Sequence, residues 1–422
     1  MAISFEIEVR GEERERRRQD FGSIIGNVIN QNFSIEIINK STEYRIEMTK
    51  LDLPPIVFIH GWKASALKSS KGNIVFDYQL SSLLGFGGDV LSLPMEWDDD
   101  GFQIKDDLTP IHPCYEVRAC CFTLANLYGP MLNHLRSKGR DVIEFVYDWR
   151  RELGETSILF EKFLKKVKLE HGQRPQVIAH SMGCLISVHV LNRSPNLFHS
   201  ILLGAGAISP NISLIEDLSC VGGVNKIALN KTLFHPKQHL SNPGPLHMLI
   251  AHPNEREVFG KEETVLVKDS LGKATSIDLQ DPSNWKKHKI GIYCNFSHVD
   301  VTPEKEAWLK RVLEKCYFFR KGLVPKHPRS EYPPIAVLNS DGFDTKFQLN
   351  LLSDGEVDFE NIETRKGDGR VVCEDTLPPK GIDVSMTITN KREHSDVLND
   401  LSSVDTLLSH LISAKLTNEK EN

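Results

Sequence analysis

The stretch Gln176–Asn192 restricts the possible folds of this chain more than any other part of the sequence. It opens with a short apolar run that ends at His180, and a turn of small residues then surrounds Ser181. An almost unbroken apolar run, Cys184–Leu191, follows the turn. The first run has the length of a buried strand, and the second continues as a buried helix. The stretch therefore predicts a strand, a tight turn with serine at its apex, and a helix.

This order of elements around a serine is the nucleophile elbow of the α/β-hydrolase fold. The strand and the helix approach closely at the elbow, so small residues are needed two positions before and two positions after the serine. Those positions hold Ala179 and Gly183. A serine between a strand and a helix is usually only a helix N-cap. Because the whole pattern is present, we interpret Ser181 as a catalytic nucleophile.

Apolar runs elsewhere in the chain predict a mostly parallel sheet with crossover helices. The expected strands are Ile56–Ile59, Val142–Tyr147, Gln176–His180, Ser200–Ala207, Pro333–Leu338 and Val384–Thr389. The expected helices are Tyr115–Lys138, Thr156–Glu170, Cys184–Leu191, Pro303–Lys321 and Ser403–Ile412. Near the start of the chain, alternating apolar residues predict a strand over Ile3–Val9 and a hairpin of Ser34–Ile38 with Glu43–Met48.

These elements divide the chain into four expected segments. The segments are an N-terminal β extension of unknown role (1–53), a first part of the hydrolase core with an insertion at 66–115 (54–207), a cap or lid insertion (208–332), and a second part of the core (333–422). Insertions at these places of the fold often shape the mouth of a substrate site.

Backbone donors for an oxyanion are expected at two turns. The strand Ile56–Ile59 ends in His60-Gly61-Trp62, and Gly61 allows the chain to turn so that the N–H of Trp62 points at a substrate carbonyl. The second donor is the N–H of Met182, the residue after the serine. A plain turn at Gly61 is the alternative interpretation.

A serine nucleophile needs a histidine base, which follows it in this fold after the final strand. His394 comes just after the last expected strand and is the candidate base. Other histidines that follow the elbow include His298, which lies in the expected cap insertion, and His410, which lies inside the closing helix.

The acid that orients the base precedes the histidine in the chain. Asp368 stands between two glycines, which allow a sharp turn that presents its carboxylate sideways to an imidazole. Asp341 and Asp344 follow the preceding strand and remain alternatives. Asp354 precedes a glycine and has the pattern of an ordinary turn.

The composition excludes some classes of function. The net charge of −6 argues against a nucleic-acid partner, which requires a basic face. The charged first 20 residues lack an apolar run of signal-peptide length, no stretch has the length of a membrane span, and the 8 cysteines are scattered. We therefore expect a cytoplasmic protein with reduced thiols and without a metal site.

Several of these pieces resemble one family. Tyr147–Arg150, Ala179–Gly183, Gly367–Val371 and His394 are similar, in order and spacing, to the lecithin:cholesterol acyltransferase family, which includes phospholipases and phospholipid:diacylglycerol acyltransferases. The resemblance implies an α/β-hydrolase fold and an acyl-serine intermediate. It further implies a lipid ester as acyl donor, with water or a lipid alcohol as acceptor.

The resemblance also bears on the site residues. It supports Ser181, Asp368 and His394 as a catalytic triad that works without a cofactor or metal. We name His60, Gly61, Trp149 and Arg150 as candidate substrate contacts. A lipid is the expected partner, peripheral contact with a lipid surface is an additional possibility, and the oligomeric state stays open. The alternatives are a soluble carboxylesterase for smaller esters and an inactive hydrolase fold that serves as a lipid-binding scaffold.

Overall fold

The computed structural model describes most of the chain. The described residues are 3–7, 33–40, 43–50, 53–78, 90–119, 122–219, 240–249, 255–261, 267–295 and 299–421. The strands are β1 Ile3–Ile7, β2 Phe33–Lys40, β3 Glu43–Lys50, β4 Ile56–Ile59, β5 Ser65–Ser69, β6 Ile74–Phe76, β7 Leu108–Pro113, β8 Glu116–Ala119, β9 Phe122–Asn126, β10 Val142–Phe145, β11 Gln176–His180, β12 Ser200–Gly204, β13 Val267–Lys268, β14 Ala274–Thr275, β15 Ile335–Ser340, β16 Phe343–Leu351, β17 Val357–Gly367 and β18 Met386–Asn390. The α-helices are α1 Gly129–Ser137, α2 Leu153–His171, α3 Met182–Leu191, α4 Ser213–Ser219, α5 Glu255–Val258, α6 Pro282–Lys287, α7 Pro303–Lys321 and α8 Leu401–Glu421.

A six-stranded parallel sheet forms the centre of the molecule. Its strands run in the order β10-β4-β11-β12-β15-β18, and each neighbouring pair is parallel. β4, β11, β12 and β15 are buried along their whole length. Strands buried on both faces read as continuous apolar runs, which is why the sequence indicated them clearly.

Alternate residues of the strands supply two separate cores. Val57, Val177 and Ile201 face one core, which includes Phe160 of α2 and Leu185 of α3. Their immediate neighbours along the strands face the opposite core, namely Ile56, Phe58, Ile178 and Leu202. That core also includes Met131 and Leu132 of α1 and Val404 and Leu407 of α8. The sheet is therefore covered by helices on both faces, and the prediction of an α/β-hydrolase fold is confirmed.

The predicted helix over Tyr115–Lys138 is wrong in its first half. β8 and β9 form an antiparallel hairpin there, and α1 begins only at Gly129. Pro130 explains the boundary, because proline has no N–H for a bond to the carbonyl of Asn126 and its ring would collide with that carbonyl. The apolar residues that suggested one long helix face different surroundings, since Leu124 is 65% exposed whereas Leu132 is buried.

The described strands also form smaller sheets. β1, β3 and β2 form an antiparallel sheet in which β2 and β3 make the predicted hairpin, with Lys40 opposite Glu43. β6, β5 and β7 form a second small sheet, almost entirely within the expected insertion at 66–115. β14, β13, β16 and β17 form a third. The division of the chain into four segments stays a prediction.

Within the described residues, no helix combines the length and the apolar character that crossing a bilayer requires.

A buried ion pair joins the turn Gly244–Met248 to the start of α2. His247 Nδ1 donates to the carbonyl of Pro243 (2.9 Å), and Nε2 donates to Glu152 (3.1 Å), which caps α2. Both ring nitrogens therefore donate, so the imidazole is charged. Burial opposes this charge, but interactions with Cys316 and Glu152 raise the pKa of His247 to about 10. Burial likewise opposes ionisation of Glu152, yet the bond from His247 helps to lower its pKa to about 2.

This pair predicts a pH-dependent contribution to stability. A raised histidine pKa stabilises the folded state fully below the unfolded value of about 6.5, and the contribution is lost as the pH rises toward 10. Urea unfolding should show His247→Gln less stable than the parent by about 3 kcal/mol at pH 6, and by less at pH 9.5. His112→Gln, at a half-buried histidine outside this pair, is the control. A difference that does not change with pH would contradict the assignment of a charged His247.

Candidate active site

Ser181 occupies the sharp turn between β11 and α3. Its backbone has φ of 52° and ψ of −120°, a conformation that residues other than glycine rarely adopt. The N–H of Ser181 donates to the carbonyl of Gly204 (3.0 Å), and its own carbonyl accepts from Cys184 (3.0 Å). These bonds hold the strained turn, which sets the serine at the carboxyl end of the central sheet.

The close packing expected at the elbow is present on both sides of the serine. A Cβ atom at Gly183 would lie 2.6 Å from the carbonyl oxygen of His60 and 2.9 Å from that of Ile59. Ala179 is fully buried in β11. Position 183 therefore requires glycine, because the first turn of α3 lies directly against the end of β4.

His394 forms hydrogen bonds with the predicted serine and the predicted aspartate. Its Nε2 lies 2.9 Å from Ser181 Oγ, and its Nδ1 lies 2.8 Å from Asp368 Oδ2. The histidine begins a short 3-10 turn, His394–Asn399, just beyond β18. Its side chain is 16% exposed, whereas that of Asp368 is 1% exposed. Ser181, His394 and Asp368 are thus linked by two hydrogen bonds into one hydrogen-bonded series, although Ser181 is far from the other two in the chain.

Asp368 is held by its own turn. Its Oδ1 accepts the N–H groups of Arg370 (2.8 Å) and Val371 (2.7 Å), which leaves Oδ2 for His394. Gly369 has φ of 89°, so the turn requires glycine at that position. Burial disfavours the charge on Asp368, but His394 and the two N–H groups lower the pKa of this carboxyl below its usual value.

The alternative acids have other contacts. Asp341 pairs with Lys391 (2.6 Å), and Asp344 pairs with Lys366 (2.7 Å) on the surface. Asp354 accepts the N–H of Glu356 in a turn. Asp368, and none of these three, is hydrogen-bonded to His394.

Of the two other histidines named above, the structure describes His410. His410 lies in α8, where its Nε2 is 3.1 Å from Ser385 Oγ. His298 lies outside the described residues.

The two predicted oxyanion donors belong to residues near the serine. Met182 is the first residue of α3, so its N–H has no acceptor within the helix. Gly61 lies so close to the elbow that a Cβ atom there would be 2.9 Å from Ser181 Cβ. Trp62 follows directly and, like Gly61, lines the cavity in front of the serine.

That cavity has a volume of about 260 Å³. Ser181 and His394 lie in its wall. Apolar side chains line much of it, namely Trp62, Tyr78, Leu127, Leu214, Met248 and Val371. Charged side chains of both signs line the remainder, namely Lys63, Asp217, Arg370 and Glu393. The cavity can therefore receive a molecule that has both an apolar and a polar part.

Three of the four candidate substrate contacts do not line this cavity, and their prediction is corrected. His60 is fully buried and stacks on Tyr147 at 4.2 Å between ring centroids. Trp149 donates from its indole to the carbonyl of Ser65 (3.2 Å). Arg150 is fully buried and forms ion pairs with acidic side chains, Asp148 (2.7 Å) and Asp106 (2.7 Å). The contacts of these three side chains are with other residues of the protein. Of the four candidates, Gly61 alone lines the cavity.

Sequence reasoning missed several cavity residues. Tyr128 lines the cavity, but the predicted long helix had placed it in the middle of a helix. Asp217 and Arg370 also line it and form an ion pair (2.7 Å). Arg370 lies only two residues after the candidate acid, and this closeness in the sequence could have indicated that it lies near the site. No pattern in the sequence connects Asp217 with Arg370.

Comparison with known proteins finds one sequence family that matches part of the chain. The sequence profile of the lecithin:cholesterol acyltransferase family matches residues 124–197, which confirms the resemblance over that region. The match includes Tyr147–Arg150 and the elbow. A search of curated protein sequences found no match.

Solved structures resemble this chain at low sequence identity. A chain of the Tle4–Tli4 complex has a TM-score of 0.52 and 11% identity, with 87% of this chain and 98% of that chain covered. The Bacillus licheniformis lipase BlEst2 has a TM-score of 0.36 and 11% identity, with 84% and 91% covered. A membrane phospholipase A, described as a bacterial virulence factor, has a TM-score of 0.31 and 12% identity, with 94% and 93% covered. The fold is that of an α/β-hydrolase, and the family match supports a lipid-ester hydrolase or acyltransferase.

Proposed function

We propose that this chain is a serine-dependent lipid acyl hydrolase or acyltransferase. It would move an acyl chain from a phospholipid-type ester to water or to a lipid alcohol. The hydrogen-bonded series of Ser181, His394 and Asp368 at the wall of a cavity carries the proposal. The lipid substrate is supported by the family match over residues 124–197.

The first half of the reaction forms an acyl-enzyme. Asp368 accepts from Nδ1–H of His394, so the lone pair of Nε2 faces Ser181. As the serine oxygen attacks the ester carbonyl, its proton passes to Nε2. The tetrahedral intermediate then expels the alcohol, which leaves with that proton. The N–H groups of Trp62 and Met182 stabilise the oxyanion, each by about 3 kcal/mol.

The second half transfers the acyl chain to an acceptor. Water or a lipid alcohol gives its proton to His394, and its oxygen attacks the acyl carbonyl. The intermediate collapses, Ser181 Oγ takes the proton back, and either a fatty acid or a new ester leaves. The balance between the two products depends on how well the occupied site excludes water.

The oxyanion assignment predicts the effect of Gly61→Ala. The added Cβ would lie 2.9 Å from Ser181 Cβ and 3.1 Å from His180 Nδ1, so the turn must move and take the N–H of Trp62 with it. We expect kcat for ester hydrolysis to fall about 100-fold. Gly139→Ala is the control, because nothing lies within 4 Å of the added atom and only backbone strain results. An unchanged kcat in Gly61→Ala would place the oxyanion donor elsewhere.

Contact with a lipid surface is part of the proposal. Phe122 is 70% exposed and Leu124 is 65% exposed on β9, and the chain continues from this strand to Leu127 in the cavity wall. Exposed aromatic and aliphatic side chains beside a cavity can enter the headgroup region of a bilayer. Phe122→Ser with Leu124→Ser should therefore reduce sedimentation with phosphatidylcholine vesicles several-fold, while hydrolysis of a soluble ester is kept. Equal sedimentation of parent and variant would contradict this docking site.

The substrate class is tested with labelled phospholipid. The purified chain is incubated with phospholipid that carries a labelled acyl chain, with and without a sterol or a diacylglycerol. Labelled fatty acid indicates the hydrolase, and labelled sterol ester or triacylglycerol indicates the transferase. Ser181→Ala should give neither product. Absence of both products with the parent chain would contradict the lipid substrate.

A second candidate function is that of a carboxylesterase for smaller esters. The cavity of about 260 Å³ favours it, because ligand pockets usually measure roughly 300–1,000 Å³. A series of esters with acyl chains from two to sixteen carbons separates the two candidates. A lipid enzyme prefers the long chains when they are presented in micelles, whereas a carboxylesterase loses activity as the chain lengthens.

A further inference from the structure

A chain of hydrogen bonds connects the turn at Gly61 to the main chain of His394. The N–H of Gly61 donates to the hydroxyl oxygen of Tyr128 (3.1 Å), and that oxygen lies 2.8 Å from His180 Nδ1. His180 Nε2 in turn lies 2.9 Å from the carbonyl oxygen of His394. His180 and Tyr128 are both buried. The path therefore runs from the residue before one proposed oxyanion donor to the proposed base.

The chemistry of the groups fixes the direction of every bond. A carbonyl oxygen only accepts, so Nε2 of His180 carries a proton and donates to His394. In a neutral imidazole Nδ1 then has a lone pair, and the hydroxyl of Tyr128 donates to it. The same hydroxyl oxygen accepts from Gly61. One tautomer of His180 and one rotamer of the Tyr128 hydroxyl satisfy all three bonds.

The neutral state of His180 fits its position beside the base. The rings of His180 and His394 lie 5.0 Å apart between centroids. Burial, together with the nearby His394, lowers the pKa of His180 to about 3. When His394 takes the serine proton it becomes a cation, and a second cation at this distance would oppose that step. His180 can thus hold His394 without competing with it for a charge.

The main chain of His394 has a second anchor. Its N–H donates to the carbonyl of Asp368 (2.9 Å). Because His180 donates to its carbonyl, both polar groups of the His394 backbone are fixed. His180 also precedes Ser181 directly in the chain, so movement of the base relative to the nucleophile would stretch this bond.

We propose that His180 and Tyr128 are positioning residues. They hold the loop that carries His394, and the turn at Gly61 that precedes Trp62, in fixed positions relative to the nucleophile elbow. Both residues line the cavity, and in this proposal they act through His394 and Gly61, to which they are hydrogen-bonded. This inference rests on the proposed function, since it assigns these side chains a role in the same reaction. The expected signature is a loss in kcat with little change in KM.

The test measures kcat and KM for a soluble short-chain ester. Tyr128→Phe and His180→Leu should each lower kcat about 10- to 100-fold, because small displacements of catalytic groups have effects of this size. KM should stay within about threefold. His180→Gln should recover most of the rate, since its side-chain amide can still donate toward the His394 carbonyl. The double variant should be little slower than His180→Leu, because both changes break one path.

Controls separate this inference from folding and from the proposed function. Tyr115→Phe removes a half-buried hydroxyl that bonds Glu144 (3.0 Å) outside the path, and it should leave kcat unchanged. If His180→Leu does not fold, Tyr128→Phe and His180→Gln still decide the question. Parental kcat in Tyr128→Phe and His180→Leu, or additive losses in the double variant, would overturn the positioning role. An active Ser181→Ala would instead overturn the proposed function itself.

Discussion

Replacing Ser181 by alanine is expected to lower kcat for ester hydrolysis by about 10⁴-fold or more. The hydroxyl is the group that attacks the carbonyl, and nothing else at the elbow can form the acyl-enzyme. The fold should survive, because alanine removes one oxygen whose hydrogen-bond partner is the partly exposed imidazole of His394. The backbone bonds that hold the turn do not involve the side chain. Steady-state kinetics and thermal unfolding of the variant check both statements.

Ser187→Ala is a matched control for this prediction. Ser187 is a fully buried serine of α3, the helix that follows Ser181, and its hydroxyl has no hydrogen-bond partner among the described residues. Its loss should leave kcat unchanged and should not lower stability. Activity that survives in Ser181→Ala, or that falls equally in Ser187→Ala, would contradict the role of Ser181.

Replacing Asp368 by asparagine is expected to lower kcat by about 10⁴-fold. Oδ1 must remain an oxygen, because it accepts the N–H groups of Arg370 and Val371. The new amide nitrogen therefore takes the place of Oδ2 and faces Nδ1 of His394. An amide nitrogen donates, so the imidazole is forced to carry its proton on Nε2. That nitrogen then cannot accept the proton of Ser181.

The alternative acids provide the comparison for this variant. Asp341→Asn and Asp344→Asn remove ion pairs with Lys391 and Lys366 at the surface, and each should change kcat less than twofold. The decisive measurement is kcat for the three variants on one soluble ester. A slow Asp341→Asn or Asp344→Asn beside a fast Asp368→Asn would reassign the acid.

The strands of the central sheet and the site residues Ser181, Asp368 and His394 could be predicted because the residue types that each needs appear within a short stretch of sequence. A buried parallel strand is a continuous apolar run, so β4, β11 and β12 could be predicted from the sequence. The elbow needs small residues, and the structure gives the reason at Gly183, where a Cβ would meet the end of β4. Asp368 was indicated by the glycines on either side of it, and His394 by its place just after the last expected strand.

The features that were missed depend on contacts between distant residues. The apolar residues of 115–138 satisfy a helical pattern, but Pro130 ends any helix that comes from the N-terminal side. Trp149 and Arg150 were expected to face a substrate, and yet Arg150 instead bonds Asp148 and Asp106 inside the core. Tyr128 reaches His180 across 52 residues of sequence. Periodicity within one segment contains no information on such pairings.

The most direct test of the account is to trap the nucleophile. The parent chain and Ser181→Ala are treated with a fluorophosphonate, which phosphonylates activated serines, and the adduct is mapped by peptide mass spectrometry. We expect one adduct, on Ser181, in the parent and none in the variant. A parent chain that takes up no phosphonyl group, or that carries it on a different residue, would contradict the claim that Ser181 is an activated nucleophile.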